Sequence, residues 1–158
     1  MSAVLDEFRA KFRVEELLIA ETPSWTWSVR PAQPTLGAGI IALKRHALRL
    51  SEVTAAEMAD LAGLVSRLES SLSRCFGHQV MNYLMLMMVD HHVHYHALPR
   101  YDGAREFAGR RWVDNGWPGL PAFGDAQHAD SPETLLEIRR ALQAAGAAEK
   151  EITRPAGG

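Results

Sequence analysis

The run His91-His92-Val93-His94-Tyr95-His96-Ala97-Leu98 constrains this chain more than any other stretch. Side chains on a strand alternate between faces. A strand here places His92, His94 and His96 on one side, and His91, Val93, Tyr95 and Ala97 on the other. One face is then polar and its reverse mostly apolar, so the segment reads as part of a sheet with a core on one side and a ligand surface on the other. Pro99 cannot donate to a ladder and is expected to end the strand. Residues 80–89, dominated by Met, Leu and Tyr, read as a buried strand. Asp90-His91 forms the turn that makes the two an antiparallel hairpin.

Other segments supply the remaining layers. Residues 24–30 alternate polar and apolar, which puts Trp25, Trp27 and Val29 on one face of a strand that Pro31 and Pro34 end. Residues 36–43 form a small and aliphatic run with Gly37 and Gly39 inside, a strand that admits close backbone approach. Lys44-Arg45-His46 follows as a solvated strand end. Thr54-Ala55-Ala56-Glu57 matches a capping box, and Met58, Leu61, Val65, Leu68, Leu72 and Cys75 then give one apolar helix stripe until Gly77 stops it. Residues 4–12 read as a short helix. Ser131-Pro132-Glu133 opens a last one, with Ser at the cap and Glu near the positive end of the dipole. Residues 100–130 show no clear period and read as a long ordered loop. Its Trp-rich part, 111–118, is expected to cover a site, line a dimer seam or simply pack.

Composition narrows the class. With 158 residues, 47% hydrophobic and 23% charged, the chain suits one globular domain, assigned to 1–148, followed by a flexible tail, 149–158. A net charge of -2 argues against a polybasic nucleic-acid binder, and no apolar run approaches the roughly 18 residues of a membrane span. Cys75, the sole cysteine, has no disulfide partner, which fits a reducing compartment. Residues 1–13 lack the apolar run of a signal peptide, so the expected location is the cytoplasm.

Three histidines on alternate positions, backed by an apolar face, suggest a common ligand. At about 3.3 Å per residue, the bases of His92 and His96 lie about 13 Å apart. Zn–N bonds of about 2.0 to 2.1 Å do not bring both onto one ion, although two neighbouring imidazoles can chelate. A row of donors matches better a chain of phosphate oxygens, whose charge shifts during group transfer. No metal ligand is assigned on this reading, and no cofactor is required. A divalent metal is left open.

His92-Val93-His94-Tyr95-His96-Ala97-Leu98 resembles the signature of the histidine-triad family, His-apolar-His-apolar-His followed by two apolar residues. Gly39-Ile40-Ile41-Ala42-Leu43-Lys44-Arg45-His46 is similar to the strand that precedes a helix opened by Ser or Thr in that family, and Leu50-Ser51-Glu52-Val53-Thr54 continues the match. The resemblance spans residues 24–101. It implies an α+β fold, an antiparallel half-barrel sheet flanked by helices and paired as a homodimer. It also implies a nucleotidyl hydrolase acting on a nucleoside phosphoramidate, a dinucleoside polyphosphate or a related nucleotide conjugate. On that resemblance His94 is the nucleophile, His96 contacts phosphate oxygens, and the backbone at His92 holds the other ring nitrogen of His94. Ser28 and Arg30 fall near the ribose contacts. The partner is a nucleotide-type small molecule, with no nucleic acid and no membrane. Three positions depart from the family pattern. Ala38 stands where a fourth histidine is usual, and Met88 and Val89 replace the phosphate donors before the triad. A non-catalytic nucleotide- or metal-binding protein of the same fold is the alternative.

Overall fold

In the computed structural model, which describes residues 2–153 with side chains to residue 148, the alternating segment 24–30 becomes β2 (Trp25–Val29). Trp25, Trp27 and Val29 enter the main core, and the small run that follows becomes β3 (Gly39–Leu43), paired antiparallel with β2. Before them lie α1 (Ala3–Lys11) and β1 (Leu18–Glu21). After them come α2 (Ala55–Phe76), β4 (Val80–Leu84), β5 (His94–Arg100), the short hairpin β6 (Arg105–Phe107) and β7 (Arg110–Trp112), and α3 (Glu133–Thr153). The main sheet has the order β1-β2-β3-β5-β4, and every neighbouring pair is antiparallel. This is the expected α+β architecture. No helix among the described residues is long and apolar enough to cross a membrane.

The sheet has an apolar layer on each face. On one, α2 and α3 pack against each other and over Trp25, Trp27, Ile41, Leu43 and Ala97. On the other, α1 lays Phe8 and Phe12 over Ile40 and Ala42 in a smaller, separate cluster. The second layer covers the histidine face of the sheet.

Several local expectations are corrected. The capping box forms as read, with Thr54 Oγ1 accepting from Glu57 N at 3.1 Å and the Glu57 carboxylate accepting from Thr54 N at 2.9 Å. The buried stripe of α2, however, is Leu61, Leu64, Leu68, Leu72 and Phe76, which leaves Met58 exposed and Val65 and Cys75 half-buried. The helix is rotated because two layers, β2 and α3, share its contact face. The strand expected over 80–89 stops at Leu84 and lies at the sheet edge, and the following segment turns outward, with Met88 86% exposed. Strand β5 runs through Pro99 to Arg100, because β3 pairing ends at Ala97 and only β4 lies beside the strand there. The long loop contains the β6–β7 hairpin, and α3 continues past 148 to Thr153. The rest of the expected tail, 154–158, lies outside the described residues.

The loop is pinned to the sheet by a buried ion pair. Arg100 Nε donates to Asp114 Oδ2 at 2.6 Å, and its other nitrogens donate to Asn82 Oδ1 at 2.7 Å and Gly119 O at 2.9 Å. Asp114 also accepts from the backbone N–H groups of Tyr101 and Gly116. With both partners satisfied the pair is tolerated in the interior. Removing one partner of such a pair costs about 3–5 kcal/mol, because the other charge is left buried and unpaired.

Candidate active site

The register sets the site. Across the sheet, Thr26 aligns with Ala42 and His94, and Ser28 with Ile40 and His96. Both rows lie on the face covered by α1. His92 precedes β5 but reaches the same surface, since Val93 stays paired with the exit of β3 through Leu43 N to Val93 O at 3.2 Å. Val93 and Ala97 enter the main core on the reverse side, Tyr95 packs against it, and His91 turns outward with its Nδ1 3.1 Å from Met87 O.

Each imidazole is held by one hydrogen bond whose direction follows from its partner. His92 Nε2 lies 2.6 Å from Leu43 O, and since a carbonyl only accepts, Nε2 carries the proton. His94 Nδ1 lies 2.6 Å from His92 O, so there the proton sits on Nδ1 and the Nε2 lone pair is free. That Nε2 is buried with no partner. His96 Nδ1 accepts from Arg30 Nε at 3.2 Å. Burial lowers the pKa of all three histidines, that of His96 to about 3, because a charged imidazole loses its hydration there. Proximity to His94 and Arg30 adds to the effect at His96. The triad is therefore neutral at ordinary pH.

The triad face, read from the sequence as a ligand surface, is closed over by neighbouring aromatic rings. His94 is 0% and His96 5% exposed. Phe8 packs against His94 with ring centroids 4.8 Å apart and against His92 at 5.2 Å, while Phe12 lies 6.1 Å from both His94 and His96. Phe123, from the long loop, closes the far side at 4.9 Å from His96. Lys11 Nζ bonds both oxygens of Asp90 at 2.8 and 2.9 Å and ties α1 to the segment before the triad. A cavity of about 300 Å³ beside α1, lined by Val4, Glu7, Phe8, Lys11, Asp90 and His92 among others, reaches the edge of this arrangement but not His94.

Of the residues singled out from sequence, His92, His94, His96, Ser28 and Arg30 all lie on this face. Ser28 is fully buried and its Oγ has no partner. Arg30 touches His96 directly. Ala38 is buried, whereas Met88 and Val89 are strongly exposed, so the positions expected to face phosphate do not face the triad here. Trp112 joins the main core rather than covering the site. Sequence reasoning missed Phe8, Phe12 and Phe123. The first two sit four apart on a short helix and so share a face, but nothing local tells which surface that face meets. Among the described residues no group of three or more His, Cys, Asp or Glu is placed to hold a metal ion.

The site is thus a five-stranded antiparallel sheet with three alternating histidines on one face, the central one held through its backbone neighbour. The fold of the chain is that of solved histidine-triad proteins. A hypothetical histidine triad nucleotide-binding protein from Sulfolobus tokodaii superimposes with a TM-score of 0.66 at 15% identity, over 87% of each chain. A zinc-bound histidine triad family protein from Mycobacterium smegmatis gives 0.59 at 18% identity, over 86% of this chain and 87% of that one. The diadenosine triphosphate hydrolase of Plasmodium falciparum gives 0.56 at 12% identity, over 87% and 78%. Neither a family model nor a curated protein matches the chain.

Proposed function

We propose that this protein is a nucleotidyl hydrolase that cleaves a nucleoside phosphoramidate, dinucleoside polyphosphate or related nucleotide conjugate through a nucleotidyl-histidine on His94. The observation that carries the reading is the His94 ring. Its Nδ1–H is committed to His92 O, and its unprotonated Nε2 has no partner. A neutral imidazole with one nitrogen anchored and the other free is an activated nucleophile. Nε2 attacks the α-phosphorus, forming the N–P bond as the bond to the leaving group breaks. Water then attacks the same phosphorus, the N–P bond breaks, and a nucleoside monophosphate leaves with His94 regenerated. Covalent catalysis divides one hard displacement into two easier ones. The fold shared with nucleotide-binding and diadenosine triphosphate-hydrolysing proteins supports this choice of chemistry.

Substrate reaches Nε2 only when the two phenyl rings of α1 withdraw, so closed and open forms alternate during turnover. Release of the Lys11–Asp90 pair accompanies the opening. The same closure favours the alternative, a binding protein without turnover, and acid-quench trapping separates the two. Protein incubated with substrates labelled at the α-phosphate retains label on His94 if it is a hydrolase. Nucleotide binding without any labelled adduct leaves the binding protein.

The working unit on this reading is a homodimer. Strand β4 lies at a sheet edge with Val80 and Tyr83 exposed, and an apolar recess of about 220 Å³ lined by Ile41, Leu61, Val65, Tyr83 and Tyr95 adjoins it. An unpaired edge strand beside apolar surface is a template for a second copy.

A further inference from the structure

Arg30 has a role that the nucleotide contact expected of it does not describe. It leaves the end of β2 on the histidine face, 66 positions before His96, and three contacts hold its guanidinium. Nε donates to His96 Nδ1 at 3.2 Å, one terminal nitrogen donates to Ala32 O at 2.9 Å, and Cζ lies over the Phe123 ring, 4.5 Å from its centre. The turn carrying it is braced by Gln33, whose Nε2 donates to Arg30 O at 2.6 Å and Ala38 O at 2.8 Å and whose Oε1 accepts from Gly37 N at 2.9 Å. Gly37 has φ +89°, a backbone conformation that favours glycine, and a Cβ there would lie 2.8 Å from the Leu72 side chain.

We propose that Arg30 is a positioning residue that fixes the tautomer of His96 and makes that histidine a hydrogen-bond donor to the substrate phosphate; the inference rests on the hydrolase reading above. A guanidinium donates and never accepts, so Nδ1 of His96 must present its lone pair to Nε of Arg30. A neutral imidazole has one N–H, which is therefore on Nε2. His94 is held the opposite way, through Nδ1–H. The two rings stand 5.0 Å apart at 78°, one offering an electron pair and the other an N–H. Attack on phosphorus needs this pairing, a lone pair aimed at the phosphorus and a donor for the oxygen on which charge builds.

The charges facing His96 agree with a fixed neutral donor. Arg30 from β2 and Lys11 from α1 oppose a second proton, as does His94 on the same strand, and Asp90 alone favours one. Phe12 and Phe123 exclude water from either side. His96 thus donates a hydrogen bond and keeps its proton, which separates it from a general acid.

The test reads the ring nitrogens directly. Long-range proton–nitrogen spectra of protein labelled with ¹⁵N-histidine distinguish a protonated from an unprotonated ring nitrogen. In the unmodified protein His96 is expected as the Nε2–H tautomer and His94 as Nδ1–H. Arg30→Met, which keeps length but not the donor, is expected to give His96 a mixture of tautomers and a higher pKa, with His94 unchanged. It should also slow formation of the labelled adduct at saturating substrate about tenfold or more, because a mixture of tautomers forfeits part of the roughly 10²–10³-fold that one aligned donor is worth. Arg30→Lys, which restores a donor, should recover part of both. An Nδ1–H tautomer at His96 in the unmodified protein, or identical His96 nitrogens in Arg30→Met, overturns the inference whatever the activity. If the tautomer shifts while no adduct ever forms, the Arg30–His96 arrangement stands and the hydrolase reading fails.

Discussion

Closure by α1 turns into a rate once one ring is removed. Phe8 is buried against His92 and His94, and truncating a buried Phe to Ala costs about 3–5 kcal/mol. Phe8 also packs on Phe12 of its own segment, but its contacts with His92 and His94 are lost when α1 lifts, so that part of the cost falls on the closed form. Taking about 3 kcal/mol, at 1.4 kcal/mol per decade, the closed-to-open ratio drops by about two orders of magnitude. Apparent affinity is the intrinsic affinity scaled by the competent fraction, so labelling of His94 at subsaturating substrate rises by up to about 100-fold in Phe8→Ala. Lys11→Met breaks only a half-exposed ion pair, worth about 0.2–1 kcal/mol, and gives a several-fold rise at most. Phe76→Ala is the control, since Phe76 is equally buried but in the core on the opposite face. It should lower thermal stability without faster labelling. The assay is the initial rate of acid-stable label incorporation under one set of conditions for all four proteins. If Phe8→Ala labels no faster than the parent, or slows in step with Phe76→Ala, α1 does not gate the triad.

His94→Ala abolishes the labelled adduct and turnover while nucleotide affinity, measured by calorimetry, stays close to that of the parent, because many groups bind and one forms the bond to phosphorus. Burial holds His94 below the ordinary imidazole value, so the acid limb of the pH–rate profile lies below about 6.5 rather than at it. The same burial sets stability. The unfolded chain takes up protons on three histidines below about 6.5 that the native triad refuses, so the midpoint of urea unfolding falls as pH drops from there toward His96's native value of about 3. Asp114→Asn leaves Arg100 without its counter-charge and lowers unfolding free energy by about 3 kcal/mol or more, read from denaturant titration. Light scattering at micromolar concentration gives the mass of a dimer, and Tyr83→Glu at the β4 edge shifts it to that of a monomer.

Features with a local cause were legible in the chain. The alternation in 24–30 and 92–98 predicts faces, and Trp25, Trp27, Val93 and Ala97 lie where it places them. The cap at Thr54 and the stop at Gly77 bound α2 to the residue, since both act through hydrogen bonds within one turn. What failed depended on distant partners. The buried face of α2 is chosen by β2 and α3, and the course of 85–92 by the end of β4–β5 pairing at Leu84. In the site, alternation brought the three histidines together, but the contact from Arg30 spans 66 positions and the cover from Phe8 spans more than 80, and no period reports either.

The two apolar clusters on opposite faces of the sheet give the molecule two scales of cooperativity. Phe8, Phe12, Val14, Ile40 and Ala42 form a layer that shares no residue with the large core under α2 and α3. A unit held by few contacts can detach while the rest keeps its packing, so its backbone amides exchange with solvent through a partial opening of low free energy. Amides of α1 would then exchange at one rate set by lifting that layer, while those of β3 and β5 wait for global unfolding. Deuterium uptake would divide the chain near residue 17. Ahead of that point the exchange rate reports how often the histidines meet solvent, and beyond it the stability of the fold itself.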